Sequence, residues 1–162
     1  MGLFYASQRV GKGGKPFTLY KFRTLAVGTG FAKEEQYLPW GRFLRKTKLD
    51  ELPSVWNLLR GDIGIWGYRP EELKTWNLYP TPIKELLSKH RPGFIDLSSL
   101  FFFREEFILQ LSPDPAKTYY EVIFPMKMTL RAFYFENKCI PLNLALGWIA
   151  CKKMLKAVFQ RA

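Results

Sequence analysis

The sequence predicts an α+β fold: a compact, mainly helical domain with a small N-terminal antiparallel β-hairpin and amphipathic helices suited to a membrane interface. Three observations predict it. A Gly-rich turn followed by alternating residues marks a hairpin near the N-terminus. Apolar residues recur at helical spacing through the middle and the C-terminal part of the chain. The chain has 162 residues, 48% hydrophobic and 17% aromatic, enough to bury one real core. One domain is expected across residues 1–162.

The elements follow in order. Met1 to Lys33 reads as strands and turns. In Phe17-Thr18-Leu19-Tyr20-Lys21-Phe22-Arg23, Phe17, Leu19 and Lys21 fall on one face and Thr18, Tyr20 and Phe22 on the other. The preceding Gly11-Lys12-Gly13-Gly14-Lys15-Pro16 is a hairpin loop and does not meet the P-loop pattern. Trp40 to Lys48 forms a short amphipathic helix, with Trp40, Phe43 and Leu44 opposed to Arg42, Arg45 and Lys46. Leu52, Val55, Trp56 and Leu59 make the stripe of a second helix. Pro53 belongs in its first turn, which makes Asp50 the expected N-cap and Glu51 the first helical residue. Ile63 to Gly67 is a short strand or loop, and a helix is expected from Tyr68-Arg69-Pro70 to about Leu87. Arg91-Pro92-Gly93 is a turn. Ser112-Pro113-Asp114-Pro115 breaks the chain before a helix near Ala116 to Phe124.

From Leu142 onward, Leu144, Trp148, Cys151, Leu155 and Val158 or Phe159 recur at helical spacing, with Lys152, Lys153 and Lys156 mostly beside that stripe. Two readings stand level: a helix docked on the core, or one lying in a membrane interface. Trp56 and Trp66 are expected in the core, Asp96 in a turn, and His90 as a cation at a helix C-terminus.

The composition excludes several chemistries. Two cysteines, Cys139 and Cys151, and one histidine, His90, leave no His/Cys metal site and no His-based triad. Any metal would be a hard cation on carboxylates. The longest uncharged run, Cys139 to Cys151, is thirteen residues, against the roughly 20 apolar residues a spanning helix needs. The first residues carry no secretory signal. The net charge of +11 is uneven, with ten Lys/Arg against three acids from Met1 to Asp50 and no acid after Glu136. Such a surface attracts phosphate, whether in nucleic acid, in anionic lipid or in a nucleotide-type substrate. No nucleic-acid fold signature accompanies it, so nucleic acid is not the expected partner.

Asp50 and Glu51 are the candidate chemical centre. Adjacent acids at a helix start are ordinarily capping charges. Here Arg45, Lys46 and Lys48 precede them, and Lys21, Arg23 and Arg69 are available to converge. A carboxylate pair can share one Mg²⁺ with a diphosphate, which is the inventory of phosphoryl transfer to a carboxylate nucleophile.

These motifs resemble the bacterial sugar transferases, the monotopic phosphoglycosyl transferases. The matching blocks are Gln8-Arg9-Val10-Gly11, Gly14-Lys15-Pro16-Phe17, Tyr20-Lys21-Phe22-Arg23-Thr24, Gly41-Arg42-Phe43-Leu44-Arg45-Lys46-Thr47, Leu49-Asp50-Glu51-Leu52-Pro53, Trp56-Asn57-Leu58-Leu59, Gly61-Asp62 and Arg69-Pro70-Glu71. Weaker echoes reach Tyr134-Phe135-Glu136-Asn137, so the resemblance spans nearly the whole chain. It implies transfer of a sugar phosphate from a UDP-sugar to undecaprenyl phosphate with release of UMP, the first step of glycan assembly. It implies Asp50 as nucleophile, Glu51 as helper on Mg²⁺, Lys21, Arg23 and Arg45 on phosphate, and Arg69 on the nucleotide or diphosphate. It also implies the cytoplasmic face of the bacterial inner membrane, with peripheral or monotopic attachment to an anionic lipid surface.

The chain departs from the family pattern in places. The family opens with a kinked re-entrant membrane helix, and this sequence starts just after it. Either the chain is a truncated form, or docking is expected through interfacial helices or a membrane-anchoring partner; a homo-oligomer is a further expected assembly. Ile63-Gly64-Ile65-Trp66-Gly67-Tyr68 stands where Met-Ser-Leu-Val-Gly-Pro is usual, Ile95-Asp96 replaces Thr-Gly, and Arg131 and Asn143 stand at acidic positions. An alternative reading is a catalytically inactive membrane-surface binding protein derived from this family.

Overall fold

A computed structural model describes residues 2–26 and 37–159. Met1, the end of the first strand-and-turn stretch (27–33) and the end of the C-terminal segment with Arg161 lie outside the described residues.

The predicted hairpin is present. Strand β1 (Phe4–Val10) pairs antiparallel with β2 (Pro16–Phe22), in a register that sets Tyr5 opposite Lys21 and Arg9 opposite Phe17. The turn works because Gly13 and Gly14 take φ of 71° and 74°, a region costly to any residue with a Cβ. Partners opposite one another share a face, so Tyr5, Ser7 and Arg9 stand with Phe17, Leu19 and Lys21.

Helix α1 (Gly41–Thr47) ends where Lys48 turns left-handed at φ 60°. A 3₁₀ turn (Leu49–Ser54) follows and runs into α2 (Val55–Leu59). This corrects the expected cap. Asp50 does not precede a helix; with Glu51 it lies inside the 3₁₀ turn, and its carboxylate caps nothing. The reason is local. Helix α1 already closes on Lys48, whose N–H bonds to the Arg45 carbonyl, so the next turn begins one residue before the acid. Trp56 was expected in the core and is 57% exposed, and the rest of its stripe is exposed with it. Trp66 packs against the core as expected.

Strand β3 (Gly64–Trp66), in the segment read as a short strand or loop, pairs in parallel with β4 (Gly93–Ile95), which starts at the end of the Arg91-Pro92-Gly93 segment read as a turn; the two form a second small sheet. The helix expected from Tyr68 to Leu87 is instead an extended stretch, α3 (Leu73–Asn77) and α4 (Thr81–Ser88). Pro80 and Pro82 account for the break. Helices α5 (Leu97–Phe101), α6 (Glu105–Gln110) and α7 (Pro115–Thr118) lead through a π turn (Tyr119–Ile123) into α8 (Phe124–Glu136). The last element is α9 (Ile140–Phe159).

One cluster of the core gathers Val10, Tyr68, Trp76, Tyr79, Leu87 and Phe124, and a second gathers Leu100, Tyr134, Leu146 and Ala150. Phe135 packs against both. His90 lies just past the end of α4, its N–H on the Leu87 carbonyl at 3.0 Å, and stacks on the Phe135 ring at 4.2 Å; burial, then Lys138, lower its pKa.

The two readings of the C-terminal stripe separate cleanly. Leu142, Leu146 and Ala150 dock α9 on the core, and Lys153 Nζ donates to the Leu100 carbonyl at 2.5 Å. The stripe read from the sequence begins two residues later, about 200° around the helix. Leu144, Trp148, Leu155 and Phe159 are accordingly 58–78% exposed. Among the described residues, no helix is long and apolar enough to cross a membrane.

Candidate functional site

Three elements converge below the hairpin. Asn57 of α2, fully buried, locks the 3₁₀ turn region to β2. Its Nδ2 donates to the Thr18 carbonyl at 2.7 Å, and its Oδ1 accepts the Tyr20 N–H at 3.2 Å. This brings Lys21, the next inward residue of β2, over the turn that carries the acids. The third element is the extended stretch after β3. It is clamped because Gly67 and Gly93 touch backbone to backbone, with the Gly93 N–H on the Tyr68 carbonyl at 2.8 Å. Tyr68 is buried in the core, and Arg69, the next residue, projects back toward the acids.

Glu51 is the meeting point. Its Oε1 accepts from Lys21 Nζ at 3.0 Å and from Arg69 Nη2 at 2.5 Å. Burial pushes its carboxyl up, but the two cations outweigh burial and hold it well below the usual carboxylate range. Lys21 responds in the other direction. Burial first, then the Arg69 charge, push its amine down to about 8, against the pull of Glu51.

Asp50 is treated differently by its surroundings. Its Oδ1 is buried and has no hydrogen-bond partner. Burial and the neighbouring Glu51 charge raise its pKa, against Lys21, Lys48 and Arg69. The three cations do not outweigh burial and the Glu51 charge, and one oxygen stays without a partner. A cap would have satisfied that oxygen with backbone N–H groups. The geometry that denied Asp50 its cap leaves that oxygen unpaired.

The two acids line a cavity of about 500 Å³ together with Lys21, Arg23, Arg45 and Arg69. All six candidate residues named from the sequence therefore meet in one place. Arg45 Nε donates to Thr24 Oγ1 at 3.2 Å. Arg23 Nε donates to the Gly2 carbonyl at 3.2 Å, and its guanidinium lies over the Tyr5 ring at 5.8 Å. Tyr5 and Arg9, assigned no role from the sequence, line the same cavity, as does Lys48, one of the cations noted before the acids. Arg9 is held by Glu72 at 3.0 Å. Strand alternation combined with the hairpin register would have found Tyr5 and Arg9, since both share the Lys21 face. Lys48 was legible only as a cation preceding the acids; its place in the cavity lining depends on the left-handed turn.

Among the described residues, no group of three or more His, Cys, Asp or Glu gathers to hold a metal ion. Asp50 and Glu51 alone could share a hard cation, with the remaining oxygens supplied by a phosphate ligand.

The profile of the bacterial sugar transferase family matches residues 1–157. A Bacillus subtilis protein, provisionally named an undecaprenyl-phosphate N-acetylgalactosaminyl 1-phosphate transferase, is 43% identical over 74 residues, covering 41% of this chain and 41% of the relative. The UDP-N-acetylgalactosamine-undecaprenyl-phosphate N-acetylgalactosaminephosphotransferase of Aeromonas hydrophila is 33% identical over 100 residues, 56% of this chain and 24% of the relative. The UDP-glucose:undecaprenyl-phosphate glucose-1-phosphate transferase of Xanthomonas campestris pv. campestris is 32% identical over 114 residues, 64% of this chain and 24% of the relative. The matches thus span less than half of each of these relatives.

Proposed function

Because this chain belongs to the bacterial sugar transferase family, we propose that it transfers a sugar phosphate from a UDP-sugar to undecaprenyl phosphate and releases UMP. The observation that carries the reading is the bare, buried oxygen of Asp50 at the edge of a cation-lined cavity.

The chemistry follows from the charges. An Asp50 oxygen attacks the sugar-bearing phosphorus of the UDP-sugar. The bond from that phosphorus to the bridging oxygen breaks, and UMP leaves with the electron pair. The product is an acyl phosphate on Asp50 that carries the sugar. A phosphate oxygen of undecaprenyl phosphate then attacks the same phosphorus, and the bond to Asp50 breaks. The carboxylate is restored and the lipid diphosphate sugar departs. Two anions must approach in each step, so the cationic lining lowers the repulsion. Arg69 and Lys21 hold Glu51 in place beside the nucleophile. Arg23 and Arg45 face the same cavity and suit the diphosphate oxygens. Asp50 and Glu51 fit Mg²⁺, which when bound would neutralise phosphate charge and polarise the reacting phosphorus.

The exposed stripe of α9 supports a membrane-surface location for this reaction. Trp148 is 67% exposed, Lys152 Nζ lies 5.9 Å from its ring centroid, and α1, whose Phe43 is 57% exposed, packs against α9. An apolar stripe with a cationic border suits an anionic bilayer. Trp148→Glu is expected to weaken binding to vesicles containing phosphatidylglycerol by about 10-fold or more, with no loss of melting temperature because the side chain touches solvent. Raised salt is expected to weaken wild-type binding as well. Co-sedimentation checks both, and unchanged binding of the variant would place the contact elsewhere.

The function itself is tested by incubating the protein with Mg²⁺, undecaprenyl phosphate and a panel of labelled UDP-sugars. Lipid-linked product and stoichiometric UMP are expected for at least one sugar. The alternative, an inactive membrane-surface binding protein, gives vesicle binding with no UMP from any sugar.

A further inference from the structure

Arg131 sits at the centre of a polar cluster on the far side of the Arg69 stretch. Its side chain is 1% exposed. Together the guanidinium nitrogens address three segments. Nη1 donates to Glu71 Oε1 at 2.6 Å and to the Tyr79 hydroxyl. Nη2 donates to Asp96 Oδ2 at 3.2 Å, and Nε to Ser98 Oγ at 3.1 Å. Asp96 in turn caps α5, accepting from the Ser98 and Ser99 backbone N–H groups. One residue of α8 thereby ties together the stretch after β3, the end of α3 and the start of α5.

A buried ion pair of this kind is weak evidence of stabilisation, because desolvation offsets most of the attraction. Its value lies in fixing where the partners are. Glu71 follows Arg69 by two residues, with Pro70 between them, whose ring fixes one dihedral. The Glu71 carbonyl also accepts the Val10 N–H at 2.9 Å, and the Tyr79 hydroxyl donates to the Glu71 carboxylate at 3.2 Å. On the other side, Gly67 is pressed against Gly93. Arg69 is thus carried on a short bridge anchored at both ends, and its guanidinium reaches Glu51.

We propose that Arg131 is a positioning residue for this site: by holding the Glu71 carboxylate it fixes the bridge that sets Arg69 on Glu51. Arg131 contacts neither acid of the cavity and acts only through Arg69. The proposal rests on the function proposed above only for its kinetic arm.

The test uses Arg131→Lys, which keeps the charge but loses the planar fork that serves three segments at once. Modification of Arg69 by phenylglyoxal, followed by peptide mass mapping, reads the Arg69–Glu51 contact without any turnover. Arg69 is expected to react about 10-fold faster in Arg131→Lys than in wild type. Glu105→Gln is the control: it breaks the pair between Glu105 of α6 and Lys127 of the same helix α8, at 2.5 Å, without touching the bridge. It is expected to lower the melting temperature and leave Arg69 reactivity unchanged. Where Arg131→Lys melts below the assay temperature, Glu71→Gln gives the same reading, since Arg131 retains Asp96 and Ser98. In the kinetic arm, kcat/KM for the UDP-sugar falls in Arg131→Lys and in Arg69→Lys, and the double variant loses no more than the worse single one. Equal labelling of Arg69 in wild type, Arg131→Lys and Glu71→Gln would overturn the proposal, as would losses that multiply in the double variant. A wild type that turns over no UDP-sugar would overturn the proposed function and leave the labelling result to decide this one.

Discussion

Asp50→Asn is expected to lower both UMP release and lipid-linked product by about 10⁴-fold or more, while the protein stays folded. The amide is nearly the same size and keeps a carbonyl oxygen, but it cannot carry the phosphosugar. The structure adds a second, opposite expectation for stability. Burial and the adjacent Glu51 charge raise the pKa of Asp50. A raised carboxyl pKa means that the charged form is disfavoured in the folded protein. Above that pKa the ionised group therefore subtracts from stability. Removing the charge relieves this, so the melting temperature of Asp50→Asn at pH 7 is expected to match or exceed wild type. Loss of activity with equal or better stability is the mark of a functional strain. A capping carboxylate would behave the other way, since its loss costs stability and leaves the chemistry alone. Kinetics and thermal melts on one preparation separate the two, and retained turnover in Asp50→Asn removes Asp50 as nucleophile.

Gly93→Ala is expected to be the most damaging small substitution in the fold. A Cβ at this position would stand 2.1 Å from the Gly67 nitrogen and 2.4 Å from the Trp66 carbonyl carbon. Both are backbone atoms of the neighbouring strand and cannot swing aside. The strands must part, and with them go the Gly64 N–H bond to the Pro92 carbonyl at 2.8 Å and the Gly67 N–H bond to the Ile95 carbonyl at 3.1 Å. A cost of about 4 kcal/mol or more follows, roughly 10 °C in melting temperature for a domain of this size. Arg69 is two residues from Gly67, which must move, so activity is expected to fall further than unfolding alone explains. Gly147→Ala in α9 is the counterpart. A Cβ there meets nothing within 4 Å, and the helix gains up to about 1 kcal/mol from the better residue. Thermal melts of both variants check the pair. A Gly93→Ala protein as stable as wild type would show that the parallel strand contact is not what seats Arg69.

The hairpin, and the six candidate residues that meet in one cavity, could be named from the sequence for different reasons. Alternation at Phe17–Arg23 and the glycines before it specify strand and turn by local chemistry alone. The site residues lay in motif blocks whose order carried the resemblance, and Lys21 and Arg69 meet Glu51 only because of tertiary contacts that no local pattern encodes. Asp50 shows the limit of local reasoning. Its sequence context is that of an N-cap, and the left-handed Lys48 before it overrides that preference. Trp56 was misplaced because a helical stripe signals an apolar face without saying what covers it. On α9 the ambiguity was real, since Leu142, Leu146 and Ala150 form a second stripe on the opposite side, and packing chose that one. The meeting of Asp96 and Arg131, two departures from the family pattern that lie 35 residues apart, could not be read before the fold was known.

The most direct measurement is the intact mass of the wild-type protein after mixing with Mg²⁺ and an accepted UDP-sugar, with no undecaprenyl phosphate present. Covalent transfer to Asp50 gives one equivalent of UMP and a protein heavier by one sugar phosphate. The added mass maps to the peptide holding Asp50 and disappears when undecaprenyl phosphate is supplied. An unchanged protein mass, with UMP appearing only once the lipid acceptor is added, would contradict the nucleophilic role of Asp50.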